Sequence, residues 1–351
     1  MFEVWYAIAA LLFAIYVALD GFDFGAGILS PFVARTDSER RQVLAAIGPF
    51  WDGNEVWLLA AGGALFVAFP RVLASGISGF YFAIVLVLWC LIGRGIAIEF
   101  RSHVADPLWR SAWDFVFAAA STLLAVFFGA AFGNLLRGVP LDGEGWFTLA
   151  LFTDFTTRDP VGILDWYTIL TGVFALVALA AHGALFLAWK TDGAVHERSR
   201  RAARHLWIAV AVLWPLVTAA SHVVNPALFP GMGRRGLAFL ATALAIGGIA
   251  TVLVRLPRGG FLAAFLGSCA FLLGIIGASA ASYFPVMLRA TGGDALSITA
   301  YTGGGDEGSL RIALRWFLVG APLALLYLAV VLRLHRGTDR RGRRGGGLLA
   351  S

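Results

Sequence analysis

Residues 48–57 read Gly48-Pro49-Phe50-Trp51-Asp52-Gly53-Asn54-Glu55-Val56-Trp57, and apolar sequence runs on both sides of them. The surrounding stretch, 43–69, is long enough to cross a bilayer, which takes about 20 predominantly apolar residues. Two carboxylates, an amide and two indoles inside such a stretch are costly: one charge at the bilayer centre costs roughly 3 kcal/mol on insertion scales. The decamer therefore says two things at once. The chain is a membrane protein, and this segment carries function.

The composition agrees. Of 351 residues, 59% are hydrophobic and only 14% charged, against about 25% charged in soluble domains. A water-soluble core of this length cannot hide that much apolar surface. Reading for apolar runs of about 20 residues predicts nine spans, at 4–28, 43–69, 74–98, 113–135, 162–188, 206–226, 236–254, 261–286 and 312–333. The fold class is an all-α integral membrane protein. Nothing basic precedes the first run and no small-residue cleavage site follows it, so it is read as a retained helix rather than a signal peptide.

The formal charge of +6 comes from 26 arginines and a single lysine, Lys190. With the N-terminus outside, 19 of these cations fall on inner segments and 7 on outer ones, with Arg315 inside the last span. That bias predicts an N-out, C-in, multi-pass arrangement with an odd number of helices. It also accounts for the Arg/Gly-rich tail, 334–351, as a cytoplasmic lipid-facing segment rather than a nucleic-acid binder. The two long loops, 136–161 and 287–311, both fall outside. Four spans precede the first loop and five follow it, giving 1–135 and 162–333 as two halves of one membrane domain.

In this topology the acids gather in the inner half. Asp20 and Asp23 are three apart on span 1 and share a helix face. The glycines after them allow a neighbouring helix to come close. Asp52 is expected about nine residues into span 2, roughly 13 Å deep, with Glu55 one turn on and Pro49 kinking the helix. Arg94, Glu99 and Arg101 end span 3. These side chains can be paired charges that hold helices together, with Arg94 or Arg101 serving Asp23 or Glu99. Alternatively they form a chain of protonatable groups from the cytoplasm into the membrane. Asp52 favours the second reading, since no arginine lies within two turns of it on its own helix.

Cys90 and Cys269 lie in apolar spans and make no disulfide framework. Of the six histidines, only His182 and His222 fall within spans, at different depths. That argues against a bis-histidine haem between them, though either one remains a candidate single ligand. No phosphate-loop, dinucleotide, zinc-protease or hydrolase motif is present. A stand-alone proton- or cation-coupled transporter using the same acids is the alternative, although no internal repeat is evident.

Several motifs occur in order: Asp20-Gly21-Phe22-Asp23-Phe24-Gly25-Ala26-Gly27, Thr36-Asp37-Ser38-Glu39-Arg40-Arg41, Trp51-Asp52-Gly53-Asn54-Glu55-Val56-Trp57-Leu58, Gly62-Gly63-Ala64-Leu65-Phe66, Ser78-Gly79-Phe80-Tyr81 and Phe132-Gly133-Asn134-Leu135-Leu136-Arg137-Gly138-Val139-Pro140. Together they resemble subunit II of the cytochrome bd family of quinol oxidases, densely over the first 140 residues. The resemblance implies nine transmembrane helices as two four-helix bundles plus a peripheral helix. It implies a homologous subunit I that holds haems b558, b595 and d, with room for a small accessory subunit. Quinol is the substrate, O2 is reduced to water, and protons are taken from the cytoplasm. Asp52 would lie on the proton route with Glu99, Asp23, Asp20 and Glu55 as further members, and Trp57 with Trp51 by the O2 route. Glu55 departs from members that carry Gln there.

Overall fold

The computed structural model describes residues 1–230 and 235–335; the tail after His335 and Met232 and Arg234 lie outside the described residues. Eight helices among the described residues are long and apolar enough to cross a membrane. They are α1 (Phe2–Val33), α5 (Tyr81–Phe100), α6 (Pro107–Arg137), α7 (Trp166–Lys190), α8 (Gly193–Val224), α9 (Gly236–Arg255), α10 (Phe261–Tyr283) and α11 (Glu307–Leu334). A further pair, α3 (Trp51–Ala68) and α4 (Pro70–Gly79), passes the same test jointly but is bent by 119°.

The expected second and third spans need correction. The run 43–69 is not one kinked helix. A separate amphipathic helix, α2 (Asp37–Ile47), ends before a turn at 48–50, and α3 starts at Trp51. Pro49 has no N–H to give and its ring clashes with the preceding turn, so the helix stops there instead of bending. At the other end of α2, Thr36 forms a capping box with Glu39: the Glu39 N–H donates to Thr36 Oγ1 at 3.3 Å and the Thr36 N–H donates to Glu39 Oε2 at 3.1 Å. Pro70 then opens α4 at its first position, where its missing N–H costs nothing. The expected span 74–98 thus merges the end of α4 with α5.

Helix α1 is the hub. It packs against α3, α6, α7 and α10, while α5 packs on α6, α8 on α7 and α9 on α10. Its contact with α7 is a backbone crossing. A Cβ on Gly25 would lie 2.6 Å from Gly183 Cα, and one on Gly183 would lie 2.5 Å from Gly25 Cα. Small residues at such crossings allow the van der Waals contact that holds helices together in lipid. Helix α11 is peripheral, touching mainly α3.

The two long loops meet at one end of the helices. A short hairpin of β1 (Val286–Leu288) and β2 (Ile298–Thr299) is antiparallel, and a bridge joins Val139 to Ala290. Thr291 Oγ1 donates to Asp159 Oδ1 at 2.8 Å, and Ser75 Oγ of α4 donates to the Gly145 carbonyl at 2.7 Å. The N-terminus sits at this end: Tyr301 OH donates to Glu3 at 2.9 Å, and Trp5 Nε1 donates to the Leu310 carbonyl at 3.1 Å. His335 is at the opposite end, where its carbonyl accepts from Lys190 Nζ. That opposite end also carries the arginines of α2 and α8.

Candidate functional site

Four of the expected acids and amides meet at one buried centre. Arg94 of α5 is fully enclosed. Its Nη1 donates to Asp20 Oδ1 at 2.6 Å, its Nη2 donates to Asp20 Oδ2 at 3.1 Å, and Nη2 also donates to Glu55. Asp20 is 0% exposed, and the Glu55 side chain retains 28% exposure. One turn along α1, Asp23 is also fully enclosed, with Oδ2 accepting from Asn54 Nδ2 at 2.7 Å. Asn54 Nδ2 further donates to the Leu19 carbonyl at 3.3 Å. The Arg94 guanidinium lies 4.5 Å over the Phe24 ring, which stacks on Phe128.

The local sequence explains this convergence. Asp20, Asp23 and Phe24 occupy i, i+3 and i+4 of α1, one face by helical period. Asn54 and Glu55 follow the first turn of α3, and Arg94 sits six residues from the end of α5. Three helices therefore deliver one guanidinium and three carboxyls to a single enclosed point. A buried charge needs such pairing, because desolvation is otherwise uncompensated.

The remaining candidates lie elsewhere. Asp52 is exposed in the first turn of α3 and makes no hydrogen bond or ion pair among the described residues. Its position follows from the break at Pro49, which places it at a helix start rather than nine residues into a span. It precedes Glu55 by three residues, on the same side of α3. Trp51 is half-buried with its ring near Gly95, and Trp57 is buried. Glu99 is exposed on the last turn of α5, separate from the buried centre, and only its backbone carbonyl is engaged, by His103. Arg101, a possible partner for Asp23 or Glu99 by sequence, instead donates to Asp114 and Asp37, at 2.5 and 2.8 Å.

The two span histidines sit in different surroundings. His182 is fully buried with both ring nitrogens engaged: Nε2 donates to the Ala18 carbonyl at 2.9 Å, and Ser268 Oγ lies 2.6 Å from Nδ1. Its ring stacks on Phe265 at 4.9 Å. His222 is exposed and packs its ring edge-to-face on Phe229. Among the described residues, no group of three or more His, Cys, Asp or Glu side chains could hold a metal ion.

A second buried ion pair was not foreseen. At the loop-bearing end, Arg137 donates to Asp165, to the Gly162 carbonyl at 2.9 Å and to Asn134 Oδ1 at 2.7 Å. Asp165 simultaneously caps α7, accepting from the N–H groups of Tyr167 and Thr168 at 2.8 Å. The sequence signal is Asp165 three residues before Thr168, a capping pattern just ahead of an apolar run.

A family profile described as Cytochrome bd terminal oxidase subunit II matches residues 1–335. The Haemophilus influenzae protein named probable cytochrome oxidase subunit 2 is 31% identical, over 92% of this chain and 91% of its own length. The Bacillus subtilis cytochrome bd ubiquinol oxidase subunit 2 is 30% identical, over 93% of this chain and 95% of that one. The Escherichia coli K12 cytochrome bd-I ubiquinol oxidase subunit 2 is 36% identical over 63% of this chain, and the match spans 59% of that protein. A chain in the solved structure of the bd oxidase from Geobacillus thermodenitrificans shares the fold, with a TM-score of 0.74 over 95% of this chain and 98% of that chain at 17% identity.

Proposed function

The chain belongs to the cytochrome bd terminal oxidase subunit II family, and from that premise we propose that it is the haem-free partner of a haem-bearing subunit I. The family forms part of a quinol oxidase complex, an oxidoreductase of the membrane. In this reading haems b558, b595 and d all lie in subunit I, and the complex is an electrogenic quinol:O2 oxidoreductase. This chain contributes assembly, proton delivery from the cytoplasm and an O2 route beside Trp57 and Trp51.

The observation that carries the proton reading is the row of acids from surface to core. Asp52 is exposed at the start of α3. Glu55, one turn on, is partly exposed and bound to Arg94. Arg94 holds Asp20, and Asp23 lies one turn further along α1 beside Asn54. The acids line one route from the exposed start of α3 to the enclosed centre, where Arg94 holds Asp20 as an anion. Asp52 is the entry, because it alone of the row is exposed and unpaired among the described residues. Glu99, off the row, collects protons at the surface.

The arginine-rich end is the cytoplasmic side, by the distribution of positive charge. Asp52 opens towards that side, and the loop-bearing end with the N-terminus faces out. The residues of this chain leave no ring nitrogen free at His182 for iron, so no step of the oxygen chemistry is assigned to it.

The test is Asp52→Asn in the purified complex. Assembly and the haem absorbance are retained, and quinol-driven O2 consumption falls by about a hundredfold or more, the range for losing a proton-transfer group. Unchanged turnover overturns the role. Loss of haem absorbance assigns Asp52 to assembly instead.

A further inference from the structure

The enclosed centre holds more acid than base. Asp20, Asp23 and Glu55 gather around a single guanidinium, that of Arg94. Two of the three bind it directly: Asp20 through both oxygens, and Glu55, which also keeps some contact with the surroundings. Asp23 receives no cation among the described residues. Its only donor there is the neutral amide of Asn54, to Oδ2. Its other oxygen, Oδ1, is fully enclosed and accepts from no N–H or O–H among the described residues.

The neighbouring charges decide what Asp23 can be. It stands one turn from Asp20 on the same face of α1, and both side chains are fully enclosed. Two carboxylates sharing an enclosed site cannot both ionise cheaply, and one of them keeps a proton. Asp20 has a two-point ion pair and Asp23 has none, so the negative charge belongs on Asp20. A proton on Asp23 Oδ1 removes the like-charge repulsion and turns an unpaired acceptor into a donor for the neighbouring carboxylate. The Asn54 amide then hydrogen-bonds the carbonyl oxygen, Oδ2. Tyr16, one turn before Asp20 and buried, is the remaining titratable group at this centre.

We propose that Asp23 is a resident neutral carboxylic acid that donates its hydroxyl to Asp20, whose charge is held by Arg94. The centre is thus a shared-proton carboxyl pair with one fixed anion and one proton carrier. This deepens the proton-delivery reading. It rests on that reading for what the proton serves, though not for where the proton sits.

Infrared spectroscopy of the purified complex reads the proton directly. An un-ionised carboxyl has a C=O stretch that an ionised one lacks, and carbon-13 labelling of aspartate moves it. Asp23→Asn is expected to remove one such aspartic-acid band. Asn54→Leu is expected to keep the band but raise its frequency, because the donor to the C=O is gone. An unchanged aspartic-acid band pattern in Asp23→Asn overturns the inference. Should Asp23→Asn fail to assemble, Asn54→Leu decides, and an unshifted band there overturns it. Turnover is scored separately. A lost band with full turnover keeps the shared proton and removes Asp23 from the delivery route. An unchanged band with slowed turnover does the reverse.

Discussion

Arg94 holds Asp20 by both oxygens, at 2.6 and 3.1 Å, and neither side chain reaches the surface. The pair joins α1 to α5, two helices that otherwise pack mainly on others. Its geometry is what lets a full ionic bond persist among apolar helices.

Breaking that pair from one side is therefore expected to be severe. Arg94→Met leaves Asp20 enclosed without a cation, a change that costs about 3–5 kcal/mol. The double variant Arg94→Met with Asp20→Leu recovers much of the loss, since the fully enclosed charge is gone and only the partly exposed Glu55 is left without its cation. Thermal unfolding of the purified complex, followed for both variants, checks the difference. Equal loss in the two would show that the destabilisation comes from packing.

The Gly25–Gly183 crossing makes a second prediction. Gly183→Ala places a methyl 2.5 Å from Gly25 Cα, so α1 and α7 must separate. Overpacking of this kind costs about 1–3 kcal/mol. Gly143→Ala, which meets nothing within 4 Å, serves as the control. The expected result is a lowered melting temperature for Gly183→Ala and an unchanged one for Gly143→Ala.

At the arginine-rich end, Arg198 donates to both oxygens of Glu39, at 2.9 and 3.0 Å. The Arg198 hydrogen bond, with the N–H groups of Arg35 and Thr36, holds the Glu39 carboxyl down from its ordinary value of 4.5 to about 2. A lowered carboxylate value stabilises the fold above the ordinary value and stops doing so as pH falls through the folded one. The contribution is therefore complete above about pH 4.5 and gone below about pH 2. With both side chains partly exposed, it amounts to about 1 kcal/mol at most. Glu39→Gln should flatten the acid limb of a melting-temperature profile over that interval. An identical limb in the variant would count against the pair.

The Arg137–Asp165 pair predicts a localised effect. Asp165→Ala removes the partner of a buried arginine and the N-terminal cap of α7 together, and the cap alone is worth about 1 kcal/mol. Protease susceptibility of the 138–165 loop should rise, with the buried centre around Arg94 undisturbed. Unaltered cleavage of that loop would show that Arg137 finds its support elsewhere.

The spans were legible because long apolar runs leave few alternatives in a bilayer. Seven of the nine expected runs became single helices, although α8 begins at Gly193, well before its expected start at 206. The exceptions lie at Pro49 and Phe69-Pro70, where apolar character continues across a break that only backbone sterics impose. Asp52 moved with that break, from an expected deep position to an exposed helix start. Asp20, Asp23, Glu55 and Arg94 were legible as a group because helical period and depth both brought them together. Which acid the arginine would choose was not legible, because partner choice depends on side-chain reach across helices. Arg137 read as a loop cation for the same reason. Its partner lies 28 residues away, beyond a loop whose path no periodicity reveals.

The glycine crossing between α1 and α7 also constrains how the chain is made. Helix α1 leaves the ribosome well before α7, the helix it packs on most extensively, which begins at residue 166. Until then its glycine face has only lipid or the earlier helices beside it. The first half of the chain can insert and pair Asp20 with Arg94, but it cannot close its own hub. Synthesis past α7 is the event that turns a set of inserted helices into one folded body.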